Sequence, residues 1–241
     1  LGFLIETNNY FQNPRDYGSY DLILAVVMFS FQIYGDFAGY SLIAIGLAKI
    51  LGFDLDPNFR RPYLSSSFSE FWKRWHISLS TWLRDYLYIP MGGNRKGVLK
   101  TNINLIVTMV LGGLWHGASL TFLCWGLIHG LYLVIFKSLA EYLNYSSNKF
   151  IKNIQRVLLV FLVFILTSIA WVFFRSDTLT DSFYIIKTIF LWDTKGDELH
   201  ITTPLIARCL MILFFVLIVD FCRENSLIYN IYLKSNKLRV L

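Results

Sequence analysis

Apolar residues gather in blocks too long for an ordinary soluble core helix: 22–35, continuing with polar breaks to about 50, then 104–136, 155–174 and 204–222. Crossing a hydrocarbon core of about 30 Å takes roughly 20 helical residues, so these blocks predict membrane spans. Strand-like alternation of apolar and polar positions is absent, which makes helices the spanning element. The expected fold class is an all-α integral membrane protein, a multi-helix bundle, with 1–241 as one membrane-embedded domain. The block 104–136 does not fit a single crossing. Its 33 residues would make roughly 50 Å of straight helix, too long for one passage and short for two. Gly112, Gly113 and Gly117 offer places to break it. The pattern therefore predicts a bent or re-entrant hairpin, with His116 of GGLWHGASLTF near the bend or deep in the membrane.

A second pattern occupies the stretch from Ser67 to Pro90, SFSEFWKRWHISLSTWLRDYLYIP. Ser67 and Glu70 have the spacing of a capping box, and Pro90 supplies a stop. On a helical wheel Phe68, Phe71, Trp72, Trp75, Leu79, Trp82, Leu83 and Tyr86 form one stripe, while Glu70, Lys73, Arg74, Arg84 and Asp85 gather opposite. The expectation is an amphipathic helix lying along the cytoplasmic membrane surface or packing beside the bundle. His76 falls at the edge of the stripe, where it can face the interior while the charges face water.

Composition agrees with a membrane protein. Of the 241 residues 55% are hydrophobic and 16% charged, against roughly 25% charged in an average soluble domain; mean hydropathy is +0.50. The net charge of +6 does not point to nucleic acid, because Lys and Arg lie in the connections and not along one soluble face. They outnumber Asp and Glu eight to four in 51–100, three to one in 138–156 and four to one in 223–241. Acidic residues lead three to one in 1–21 and five to three in 175–203. The positive-inside rule puts the first three segments in the cytoplasm. Both ends of 104–136 then share one side, as a hairpin requires. Cys124, Cys209 and Cys222 fall in or at the end of apolar runs without paired spacing, so neither a disulfide framework nor a zinc scaffold is expected.

An ionisable side chain inside a span is costly, which makes His116 a functional candidate, with a hydrogen-bonded packing role as the plain alternative. His76 on a second segment strengthens the functional reading. Two imidazoles converging in one cavity suit proton transfer to and from a hydroxyl near neutral pH. His129 lies about 220° from His116 on an unbroken helix and reads as packing. His76, His116 and His129 lack the close spacing of a metal site, and no metal is expected. Cys124 reads as an inert buried thiol, and His200, in the outer loop, carries no special role. Asp36, in QIYGDFAGYSLIAIG, is a relay or a structural carboxylate. Gly35 and Gly39 beside it form a small-xxx-small pair that favours close helix packing. MGGNRKG, 91–97, is Gly-rich and basic but matches no phosphate-loop fingerprint. Arg95 and Lys96 there, with Arg74 and Arg84, are candidates for contact with a donor or with lipid headgroups.

Three stretches resemble, in family order, the membrane-bound O-acyltransferases: IYGDFAGYSLIAIGLAKILGF, NFRRPYLSSSFSEFWKRWHISLSTWLRDYLYIPMGGNRKG and NLIVTMVLGGLWHGASLTFLCWGLIHG, from about Gln32 to Gly130. The branch they most resemble comprises membrane subunits that O-acetylate alginate, peptidoglycan and other exopolysaccharides; D-alanyl transfer to teichoic acid is a more distant relation. The resemblance implies one acyltransferase domain, many helices around a funnel or tunnel, and the C-terminal half of a longer protein. It implies catalytic His116 with His76 as companion, and no bound cofactor. Acetyl-CoA or another cytoplasmic acyl thioester would be the donor. The implied partners are the bilayer and a periplasmic or extracellular transferase or polysaccharide acceptor, with no nucleic acid, at the bacterial cytoplasmic membrane. The competing classes are a transporter or flippase with Asp36 on its pathway, and a non-catalytic scaffold of a secretion complex.

Overall fold

The computed structural model describes residues 2–142 and 148–193. Among them are eight α-helices and no strand: α1 Gly2–Gln12, α2 Ser19–Ile50, α3 Phe68–Arg74, α4 Ile77–Leu83, α5 Gly97–His116, α6 Leu120–Tyr142, α7 Lys149–Arg175 and α8 Leu179–Leu191. Four of these, α2, α5, α6 and α7, are long and apolar enough to cross a membrane. The block 204–222, with Cys209, Cys222 and His200, lies outside the described residues.

The 104–136 block is a hairpin, as its glycines predict, but both of its arms are full length. α5 recruits Gly97 to Ile103 and α6 runs on to Tyr142, so each arm has at least 20 residues, 20 and 23, enough for roughly 30 Å of rise. The chain reverses at Gly117–Ser119. Glycines set how closely the arms pack: a Cβ at Gly113 would meet the Phe122 backbone, one at Gly126 the Met109 backbone, and one at Gly130 the Ile106 Cα at 2.8 Å. Pairing 113 with 122, 109 with 126 and 106 with 130 defines an antiparallel pair. Gly35 and Gly39 do not serve this purpose among the described residues, where a Cβ at either meets nothing within 4 Å.

Of the two placements expected for Ser67 to Pro90, the structure shows packing into the bundle, in pieces. α3 runs along α6 towards the hairpin tip: Phe68 stacks on Tyr132 at 4.5 Å and meets Phe136 at 5.0 Å, Trp72 meets Trp125 at 5.8 Å, and Trp75 reaches Trp171 of α7 at 5.0 Å. At Trp75 and His76 the helix breaks, with His76 in the left-handed region at φ 44°. α4 and the π-helical turn Arg84–Tyr88 then return along α5: Leu83 packs on Gly112, and Asn104 Nδ2 donates to the carbonyls of Met91 and Gly93. The re-entrant element is therefore 67–93, with His76 at its apex. The break leaves Trp82 50% and Tyr86 66% exposed, whereas Phe68, Phe71, Trp75, Leu79 and Leu83 are buried. Ser67 caps α3 as expected, accepting from the Glu70 N–H, but the Glu70 carboxylate turns to Ser66 instead of closing the box.

Broken backbone at such depth needs protein partners. The 58–60 segment supplies them: Ile77 N–H donates to the Asn58 carbonyl and Arg60 N–H to the Arg74 carbonyl, each at 2.9 Å.

α8 is an element that the acidic 175–203 segment did not predict. Thr178 caps it, Ile185 is fully buried, and Arg15 reaches Asp181 at 2.7 Å. Hydrogen bonding by Thr178, and then by Arg15, holds the Asp181 carboxyl below the usual carboxylate range. A lowered folded pKa adds stability at neutral pH that is lost as pH falls through that lowered value. Asp181→Asn is expected to cost under about 1 kcal/mol at neutral pH, since the pair is partly solvent-screened. Melting curves of wild type and variant should converge in acid; equal melting at neutral pH would contradict the role given to this pair.

Candidate functional site

The hairpin tip carries His116 as the last residue of α5, and the re-entrant apex brings His76 to it. Both rings flank Trp115, His76 at 6.1 Å and His116 at 5.0 Å between centroids. Sequence spacing could not show this convergence, because it depends on the break at 75–76 and on the reversal at 117–119 together.

Each ring has its own wall. His76 is buried, meets Phe37 of α2 edge-on at 4.6 Å, and has its Nδ1 3.3 Å from Asn58 Oδ1. His116 is half-buried in an aromatic cup of Phe174 at 5.0 Å, Trp125 at 5.3 Å and Phe122 at 6.1 Å. Neither of its nitrogens has a hydrogen-bond partner among the described residues, so nothing there fixes which one carries the proton.

Two cavities approach this pair. One, of about 510 Å³, is lined by Gln32, Asp36, Phe37, Phe174 and Arg175. Its wall residue Phe37 is the one against His76, and Phe174 the one against His116. The second is a groove of about 340 Å³ between α3, α4, α5 and α6, reaching Ile77 beside His76, with Lys73 and Arg84 among its lining and Trp72, Leu105 and Met109 as apolar walls. Arg84 is held by Asp85 at 2.7 Å, whereas Lys73 is exposed and has no ion partner among the described residues.

The other candidates separate. Asp36 lines the first cavity and Arg84 the second. Arg74 is tied to Glu70 at 2.7 Å. Arg95 and Lys96 sit at the opposite end of α5, roughly 30 Å of helical rise from His116, and are not brought to the histidines. His129 is fully buried amid Phe68, Phe71, Trp72, Trp125, Tyr132 and Trp171, with neither ring nitrogen hydrogen-bonded among the described residues. It fills the centre of the bundle, in keeping with a packing role. Cys124 is half-buried and unbridged. Among the described residues no three His, Cys, Asp or Glu side chains gather as a metal site. The residue that sequence reasoning missed is Asn58. It opens the NFRRPY stretch, but hydrophobic patterning gives a loop asparagine no distinction.

The family model described as membrane-bound O-acyltransferase matches residues 17–175. The chain belongs to the membrane-bound O-acyltransferase family. With its four long apolar helices, it is a multi-pass membrane protein. The chain is 50% identical over 168 residues to a probable alginate O-acetylase of Pseudomonas fluorescens, covering 70% of this chain and 32% of the relative. It is 40% identical over 159 residues to a peptidoglycan O-acetyltransferase of Helicobacter pylori, covering 66% and 29%. It is 32% identical over 123 residues to a teichoic acid D-alanyltransferase of Bacillus subtilis, covering 47% and 31%. The chain thus spans about a third of the length of the curated relatives it matches. Both histidines and both cavities lie inside the matched family region.

Proposed function

We propose that the protein is an O-acyltransferase that passes an acyl group, acetyl by preference, from a cytoplasmic thioester to a hydroxyl destined for an extracellular or cell-wall polysaccharide. The acceptor side engages a periplasmic transferase or the glycan itself, and the bacterial cytoplasmic membrane is its location. The observation that carries this reading is that His76 and His116 both flank Trp115, with a cation-edged groove that reaches Ile77 beside one and a second cavity walled by Phe37 and Phe174, which touch the two rings. The groove, with Lys73 and Arg84, suits the anionic arm of a thioester such as acetyl-CoA. The other cavity, with Gln32 in its lining, suits a hydroxyl-bearing acceptor. In the transfer His116 takes the proton of the acceptor hydroxyl as its oxygen attacks the thioester carbonyl. The C–S bond breaks as the C–O bond forms, and the departing thiolate takes up the proton that His116 accepted, which returns the imidazole to its neutral form.

In the full-length protein in proteoliposomes, His76→Ala is expected to cut transfer of radiolabelled acetyl from acetyl-CoA by at least about tenfold. Asp36→Asn should keep it within about threefold, because Asp36 reaches neither histidine ring directly. Wild-type transfer in His76→Ala, with glycan movement lost in Asp36→Asn, would make the protein a transporter. Teichoic acid D-alanylation is separated by offering a D-alanyl thioester in place of acetyl.

A further inference from the structure

We infer that Asn58 is a positioning residue that holds His76 in one tautomer, with the proton on Nδ1 and the lone pair on Nε2. His76 therefore offers Nε2 as a hydrogen-bond acceptor only. This rests on the acyl-transfer reading above.

The assignment follows from what can donate. The backbone N–H of Ser78 has no option but to donate, and it points at the Asn58 side chain at 3.0 Å, which fixes the facing atom as Oδ1 and not the amide nitrogen. The Ser78 hydroxyl also lies 3.0 Å from that oxygen. The same Oδ1 faces His76 Nδ1 at 3.3 Å. A carbonyl oxygen only accepts, so Nδ1 carries the hydrogen; two lone pairs at that separation would repel. Ser78 Oγ is 3.4 Å from Nδ1, farther than from Oδ1, so its single hydrogen goes to Asn58. With Nδ1 protonated, the neutral ring presents a lone pair at Nε2. Such a nitrogen can accept a hydrogen bond but cannot donate one to a developing oxyanion.

The backbone is built around this contact. His76 occupies the left-handed region, which is unfavourable for a β-carbon-bearing residue and persists where surroundings over-determine it. Here the Asn58 carbonyl holds Ile77 while its side chain holds Ser78 and His76. One residue thus clamps both sides of the apex. The main-chain bond to Ile77 survives any side-chain change at 58, so removing the amide is a test of the ring more than of the fold.

The experiment uses full-length protein in nanodiscs with ¹⁵N-labelled histidine, the His76 signals being assigned by their loss in His76→Gln. Wild type is expected to show a pyrrole-like Nδ1 and a pyridine-like Nε2. Asn58→Leu should shift His76 towards the other tautomer and lower acetyl transfer by about as much as His76→Ala does, and no further. Asn58→Asp, whose carboxylate oxygens accept as Asn58 Oδ1 does, should keep the Nδ1–H form and recover most of the activity. Ser78→Ala should leave the tautomer unchanged. An Nε2–H ring in wild type, or an unchanged ring in Asn58→Leu, would overturn the inference. So would Asn58→Asp performing no better than Asn58→Leu. Because the tautomer is read without turnover, failure of the acyl-transfer reading shows separately, as wild-type transfer in His76→Ala.

Discussion

Replacing His116 with alanine in the full-length protein is expected to lower acyl transfer by about a hundredfold or more while leaving the bundle folded. The reason lies in what surrounds the ring. Its neighbours are aromatic faces and edges from Trp115, Phe122, Trp125 and Phe174, and no described residue takes a hydrogen bond from it. Unpaired nitrogens alone do not set it apart, since those of the fully buried His129 are unpaired as well among the described residues; its exposure does. His116 is only half-buried, and it sits where Phe174 connects it to a cavity of about 510 Å³. Its truncation removes no hydrogen bond made by the described residues, so the thermal midpoint should move by only a few degrees. His116→Gln supplies the sharper control, because a glutamine of similar reach can hydrogen-bond but cannot take a proton. Both variants should bind thioester donor near wild-type affinity and fail in turnover. Wild-type transfer by His116→Gln would sink the general-base assignment, and a variant that cannot be purified folded would show a structural role instead.

Much of the fold was legible in the chain. The spans follow from block length, the hairpin from Gly112 to Gly117, and the helix start at Ser67 from its cap. The break at Trp75 and His76 was not, because an apolar stripe of unbroken 3.6 period runs from Phe68 to Leu83. No proline or glycine interrupts it. The interruption is dictated from elsewhere: Asn58 and Arg60, some 15 residues upstream, take the backbone partners that a continuous helix would have used itself. That is a tertiary override of a local pattern, and it converts a surface-helix reading into a re-entrant apex. The same cause hid Asn58. His76 and His116 were visible as polar residues at apolar positions, whereas an asparagine in a loop shows no conflict with its surroundings until the fold places its side chain against a histidine nitrogen. Gly35 and Gly39 show the opposite failure. Their spacing signals close packing, yet the glycines that carry it are Gly113 and the Gly126–Gly130 pair, whose i, i+4 spacing on α6 is the same; spacing alone does not tell the two pairs apart.

Closure of the hairpin leads to the largest expected effect on stability. Gly126→Val should destabilise the protein by more than about 3 kcal/mol, beyond the usual range for overpacking. The new Cβ would meet the carbonyl of Met109 and the Cα of Val110, which are main chain and cannot be relieved by a rotamer change. α5 and α6 would have to separate along their length, and in a densely packed interior such a shift is not local. In a membrane, where apolar burial gives little drive to helix association, this close van der Waals contact is a main source of pairing energy. Gly39→Ala is the matched control, since a Cβ there meets nothing within 4 Å among the described residues, and its cost should stay under about 1 kcal/mol, where substitutions remote from packing features usually fall. Thermal melting of both variants in the same detergent makes the comparison, and melting of Gly126→Val at the wild-type temperature would refute the role given to the hairpin seam. Activity adds a second reading of the same change. Trp125 is the residue before this glycine and forms one wall of the His116 cup, so any Gly126→Val protein that still folds should lose transfer more steeply than its melting point alone would predict.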